Sequence, residues 1–133
     1  MMKDSTTDQW RGAPILWLKR ADILHPHEPE IEGQVETIRA ILQHGWDLDR
    51  VPPIPLADEA QQPYRALSGA HRIAAAVRAR LPGIPCVAVP CGPGDYDRLI
   101  RIPDDELAVL FREQGMIAAA EATRTDFHEQ VIP

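Results

Sequence analysis

A chain of 133 residues is the size of one domain, long enough to remove about two-thirds of its unfolded surface from water and hold a true core. Its apolar fraction of 44% excludes disordered and fibrous classes, and a net charge of −6 argues against a domain devoted to wrapping nucleic acid, which needs a basic surface. Acids crowd the first third, whereas Arg65, Arg72, Arg78 and Arg80 follow one another with no acid between them, a pattern that suits a small anionic ligand better than a duplex.

The opening "MMKDSTTDQWRG" is polar, without a cationic leader and apolar stretch, and no apolar run approaches a membrane span; the expectation is a cytoplasmic protein. Residues 1–13 read as an N-terminal tail, 14–122 as the domain and 123–133 as a C-terminal tail. The apolar run 15–18 predicts a strand, with Trp17 in the core. The prolines at 26 and 29 make "LHPHEPEIEG" a loop or extended segment. Val35, Ile38, Ile41 and Leu42 recur at helical spacing over 33–44, with acids at the start and Gly45 as a stop. "WDLDRVPPIPLAD" is too proline-rich for a central strand, so 54–57 is predicted as a short or edge one.

"PYRAL" reads as a strand that runs into a turn, Ser68-Gly69-Ala70-His71-Arg72, and then into a helix with the apolar stripe Ile73, Ala74, Val77 and Leu81, stopped by Pro82-Gly83. "IPCVAV" is the next strand and "PCGPGDYDR" a loop. Pro103-Asp104-Asp105 starts a helix carrying Leu107, Leu110 and Phe111, which Gly115 interrupts before "MIAAAEA". Cys86 and Cys91, five apart, match neither a CxxC redox pair nor a zinc knuckle and read as reduced thiols, one in a strand core and one in a loop.

The turn at 68–72 is the strongest chemical signal. A helix N-terminus leaves backbone N–H groups without partners, and its dipole makes that end positive, so a phosphate satisfies both. Small residues at Gly69 and Ala70 keep the approach open, Arg72 can add paired charge-assisted bonds, and His71 can donate another. The plainer alternative is that Ser68 caps the helix while His71 and Arg72 solvate its outer side. Upstream, His25 and His27 fall on one side of an extended segment, and with His71 or Glu28 they would suit zinc. Trp46, after a helix stop, suits a rim contact to a substrate or nucleobase. Arg98 and Arg101 either reach a phosphate or, by default, pair with Asp95, Asp97 or Asp104 at the surface.

The succession of strand, "SGAHR", helix and "IPCVAV", with a helix and "LHPHE" upstream, resembles the ParB/sulfiredoxin-like fold over about residues 14–90. The resemblance implies a single small domain of mixed α/β (α+β) class whose turn binds nucleotide phosphates. Sulfiredoxins carry their nucleophilic cysteine directly before the His-Arg pair, where this chain has Ala70. ParB partition proteins bind CTP through an arginine-rich box and continue into a helix-turn-helix domain, neither of which this sequence shows. Free-serine kinases of the same fold have Pro-His-Glu upstream, matched by Pro26, His27 and Glu28. Their Asp-Gly-His-His-Arg turn is matched at Gly69, His71 and Arg72, with Ser68 in place of the aspartate and Ala70 in place of the first histidine.

By that resemblance Glu28 and His71 are the catalytic candidates, Ser68, Gly69, Ala70, His71 and Arg72 hold ATP or ADP, and His27 and Trp46 meet the substrate. Mg²⁺ accompanies the nucleotide through ligands the sequence does not identify. The implied activity is transfer of a phosphoryl group to a small hydroxyl acceptor. The alternatives are a non-catalytic nucleotide-sensing or DNA-associated module and a nucleotide or nucleic-acid hydrolase.

Overall fold

The computed structural model describes residues 9–25, 28–29, 31–59 and 64–123. Five strands form one mixed sheet: β3 (Leu16–Leu18), β4 (Ile23–Leu24), β5 (Ile54–Asp58), β6 (Tyr64–Ala66) and β7 (Ile84–Pro90), in the order β3-β7-β5-β6-β4. A small hairpin, β1 (Gln9–Trp10) and β2 (Ala13–Pro14), precedes them. The β7–β5 and β6–β4 pairs are parallel, and the β3–β7 and β5–β6 pairs are antiparallel.

The inner strands β5 and β7 are apolar on consecutive residues because both of their faces are covered. Alternation sends Ile54 and Leu56 of β5, with Ile84 and Cys86 of β7, to one face, where α1 (Glu32–Ile41) and α2 (Ala70–Arg78) pack with Val35, Ile38, Ile73 and Ala76. Ala57 and Val89 point to the other face, against α3 (Asp95–Leu99), α4 (Asp104–Glu113) and α5 (Ile117–Ala122) through Tyr96, Leu107, Phe111 and Ala119. Trp10, from the segment read as a tail, joins Ile15, Val87, Ala118 and Ala122 in a third buried cluster.

Four expectations need correcting. Ile54–Asp58 is the central strand of the sheet, not an edge. Pro55 is tolerated because it stands opposite the end of β6: its carbonyl accepts the Leu67 N–H at 2.9 Å, one residue beyond the last paired residue, Ala66. Trp17 is 41% exposed, because β3 is an edge strand covered on one face and its alternation turns Leu16 and Leu18 inward. The predicted 90–98 loop contains the start of α3. Val77 is 50% exposed, because the buried face of α2 is centred on Arg72 and flanked by Ile73, Ala75 and Ala76. The break at Gly115 between two helices is as expected, with φ at +79°. So is the pairing of Arg98 with Asp95, at 3.2 Å.

Cys86 is buried and Cys91 partly buried, and both are free thiols. Burial pushes the Cys86 thiol up to about 12 and raises that of Cys91 as well, so neither has the character of a nucleophile. On the outer side, the Arg78 guanidinium clasps Glu32 and Glu36, joining α1 to α2. The Arg78 hydrogen bond holds Glu32 below its ordinary carboxylate range.

Candidate functional site at the start of α2

The chain leaves β6, passes Leu67 and Ser68, and enters α2 through Gly69 with φ at +106°, a conformation that L side chains rarely adopt. Space forbids a side chain as well: a Cβ there would lie 2.6 Å from Ile54 Cδ1 and 3.4 Å from Arg72 Nη2. Gly69 can offer α2 no capping side chain, and the first intrahelical bond runs from the Ile73 N–H to the Gly69 carbonyl at 2.8 Å. Replacing Gly69 with Ala should lower stability by about 1–2 kcal/mol through left-handed strain alone, read from the midpoint of urea unfolding.

Arg72 does not lie on the solvent side of the helix. It is 0% exposed, and Nη1 donates to the Pro52 carbonyl at 3.2 Å and the Pro53 carbonyl at 2.8 Å, the two residues that lead into β5. Nη2 lies 3.4 Å from Ser68 Oγ. The guanidinium therefore sits directly beneath Gly69 and braces the turn against the central strand. Its charge acts on the mouth of the helix from below, through protein rather than water, where electrostatic effects are larger.

Ser68 Oγ donates to Asp104 Oδ2 at 2.8 Å. Asp104 begins α4 from 36 residues further along the chain and is half-buried, while Asp105 and Glu106 in the same turn are exposed. A carboxylate thus reaches the turn after all, from a different element, and sequence reasoning had placed it among surface pairs. The signal that might have found it was the acid at the start of α4, but only the fold brings that helix end to Ser68.

His71 is 8% exposed, and its Nε2 accepts the Ile31 backbone N–H at 3.0 Å, which puts the ring proton on Nδ1. The reading in which His71 and Arg72 solvate an exposed helix side is overturned, since both are buried. The Ile31 contact ties the loop before α1 to the start of α2. Glu28 is exposed on that loop, three residues before Ile31, so its backbone stays within about 11 Å of the contact even if fully extended.

Other candidates lie elsewhere. His27 falls outside the described residues. His25 Nε2 is 3.0 Å from Arg20 Nη2, and among the described residues no three His, Cys, Asp or Glu side chains cluster to hold a metal. Trp46 is half-buried and donates from Nε1 to the Val51 carbonyl at 2.8 Å. With Trp17, Lys19, Leu81, Pro82 and Gly83 it lines a groove of about 450 Å³ beyond the C-terminal end of α2, the end opposite the 68–72 turn. Arg65 pairs with Glu59 and lies over the Tyr96 ring at 4.0 Å, which accounts for one of the four arginines read as a cationic run.

No family model matches the sequence, and no curated protein proved significantly similar. Among solved structures, sulfiredoxin from Arabidopsis thaliana matches with a TM-score of 0.56 and 22% identity, over 66% of this chain and 98% of that one. The C-terminally truncated chromosome-partitioning protein ParB from Caulobacter crescentus, complexed with CTP-gamma-S, gives 0.49 and 13% over 88% of this chain and 76% of that one. The same protein complexed to the centromeric parS site gives 0.45 and 15%, over 85% and 66%. The class of protein is thereby defined at the level of architecture: a single small mixed α/β domain with the ParB/sulfiredoxin-like fold. Among the described residues no helix is long and apolar enough to cross a membrane.

Proposed function

We propose that this domain binds a nucleotide with its phosphates at the 68–72 turn and transfers a phosphoryl group from ATP or ADP to a small hydroxyl-bearing metabolite of the serine type. The observation that carries this reading is the Ile31 N–H to His71 Nε2 bond, which joins the Glu28 loop to the N-terminus of α2. A phosphoryl transfer needs little covalent chemistry from the protein; it needs the donor phosphate held in a positive field and one carboxylate at the acceptor hydroxyl. Gly69 and Ala70 present backbone donors, Arg72 supplies charge from beneath, His71 fixes the distance to the acceptor loop, and Glu28 takes the hydroxyl proton. His27 enters this reading only as the sequence neighbour of Glu28, and Trp46 is retained as a substrate contact only for a ligand long enough to reach the far end of α2.

Mg²⁺ fits the donor set at the turn, because the Ser68 hydroxyl and the Asp104 carboxylate are hard oxygens and this ion is held by few protein ligands. When bound with the nucleotide it would neutralise charge on the phosphates.

The test is incubation with Mg²⁺, ATP or ADP and pooled hydroxyl compounds, with products read by mass spectrometry. Wild type should yield a phosphorylated product, and Glu28→Gln should lower the rate by about 10²-fold or more while nucleotide affinity stays the same. A second reading, a nucleotide-binding module without transfer, gains from the inward commitment of Arg72 Nη1 to two carbonyls, which keeps that nitrogen off a transferring phosphate. Nucleotide binding without any turnover would decide for it. Affinity for DNA that falls steeply with salt would decide instead for a nucleic-acid role.

A further inference from the structure

We propose that the groove beyond the C-terminal end of α2 is a second small-molecule site, which takes a flat aromatic carboxylate between Trp17 and Trp46 with its charge at Lys19. Such a site is independent of the nucleotide reading, which concerns the opposite end of the same helix.

Size points to a metabolite rather than a macromolecule, because a volume of about 450 Å³ falls inside the range of roughly 300–1,000 Å³ typical of small-molecule pockets. Shape points to a flat one. Two indoles line the groove, and two of the other lining residues, Gly45 and Gly83, bring no side chain into it. Trp46 is fixed in place: Nε1 donates to the Val51 carbonyl at 2.8 Å, and the ring packs against the core of the first face. Trp17 rests against Gly83, where an added Cβ would touch its Cε3 at 3.6 Å, yet the residue remains 41% exposed. At Gly45 a Cβ would meet nothing within 4 Å, so the space is open there. Indole faces so placed can stack on an aromatic ring and remove its area, and their own, from water.

Charge complementarity sets the sign of the ligand. Lys19 is the one charged residue lining the groove; it is exposed, and among the described residues no acid pairs with it. Arg80, next in the chain to the lining residue Leu81, is likewise exposed and paired with no acid among the described residues. No acid lines the groove, although the chain carries 20 acids against 14 Lys and Arg. The acids that follow Trp46 belong to a turn of their own, in which Asp47 Oδ1 accepts the Asp49 N–H at 3.0 Å. At the end of α2 the carbonyls of Ala75, Ala76 and Val77 accept the N–H groups of Ala79, Leu81 and Arg80, so its negative pole is largely answered by backbone. An aromatic body with a carboxylate meets both the indoles and the ammonium. A neutral ring leaves Lys19 unused, and a cationic one is repelled by it.

Naphthoate, naphthamide and naphthylmethylammonium share a ring system and differ in charge. Each is titrated into the full chain at low salt and followed by NMR of the amide and indole N–H groups. The carboxylate should shift Lys19, Gly45, Gly83 and the indoles of Trp17 and Trp46 in a saturable way. It should bind about threefold to fivefold more tightly than the amide, which is the worth of one exposed charge pair. Lys19→Met keeps the apolar stem and drops the charge; it should bring the carboxylate down to the affinity of the amide and leave the amide unchanged. Trp17→Ala should weaken both by about fivefold to tenfold. Because Lys19→Met alters an exposed side chain, the charge comparison stands even if Trp17→Ala fails to fold.

Equal binding of carboxylate and amide by wild type, tightest binding of the ammonium, or an undiminished preference for the carboxylate in Lys19→Met overturns the proposal. So does a response at Gly69, Ala70 and His71 in place of the groove, or no saturable response at millimolar probe. None of these results bears on whether a nucleotide binds at the turn.

Discussion

Arg72→Leu should lower the unfolding free energy by about 3–5 kcal/mol, because it strips two buried carbonyls, those of Pro52 and Pro53, of a donor at about 1–3 kcal/mol each. That is a large part of the roughly 5–15 kcal/mol typical of a domain. Arg72→Lys should recover little. A single ammonium on a flexible stem cannot reach both carbonyls and lie flat beneath Gly69 as a guanidinium does. Equilibrium urea unfolding measures both variants, and a loss under about 1 kcal/mol for Arg72→Leu would contradict a structural role for the guanidinium. The same substitution should abolish ligand binding even in the fraction that remains folded, because the turn loses its support from the central strand.

Phe111→Ala should be the next most damaging change, at about 3–5 kcal/mol for truncating a buried aromatic. Phe111 is 2% exposed and packs from α4 among Leu107, Tyr96, Leu99 and Ala119 on the second face of the sheet. Its loss also loosens the helix whose Asp104 accepts the Ser68 hydroxyl, so nucleotide binding by the folded fraction should weaken. Thermal unfolding checks the first effect, and calorimetric titration with nucleotide the second. A variant as stable as wild type would mean that α4 is an appendage rather than one of the layers that hold the sheet.

Helical spacing revealed α1, α2 and α4 and a continuous apolar run revealed "IPCVAV", whereas α3, five residues long, was hidden in a segment rich in glycine and proline; the turn before α2 announced itself through a glycine where only glycine fits. Pro55 hid the central strand. A proline removes one ladder donor, but where the neighbouring strand ends opposite it the loss is slight, and sequence cannot tell where a neighbour ends. Arg72 hid the true face of α2: a pattern that counts arginine as outward rotates the stripe toward Val77, whereas the most buried direction of that helix holds the guanidinium. Trp17 misled in the opposite sense, since a run of four apolar residues looks fully buried until the strand is known to lie at an edge.

The site divides in the same way. Its local part, Ser68 to Arg72, was legible as a small-residue turn at a helix start. The long-range part was not: the bond from Ile31 to His71 and the bond from Ser68 to Asp104 join residues 40 and 36 positions apart, and each depends on how two helices pack.

The central claim is that a nucleotide places its phosphates where α2 begins. Backbone amide NMR on the full chain, titrated with ATP in the presence of Mg²⁺, tests it most directly. The account predicts the largest shifts at Gly69, Ala70 and His71, accompanied by Ile31 through its bond to the imidazole. Shifts confined to the groove of Trp17 and Trp46 at the other end of the helix, with the turn unmoved, would contradict it.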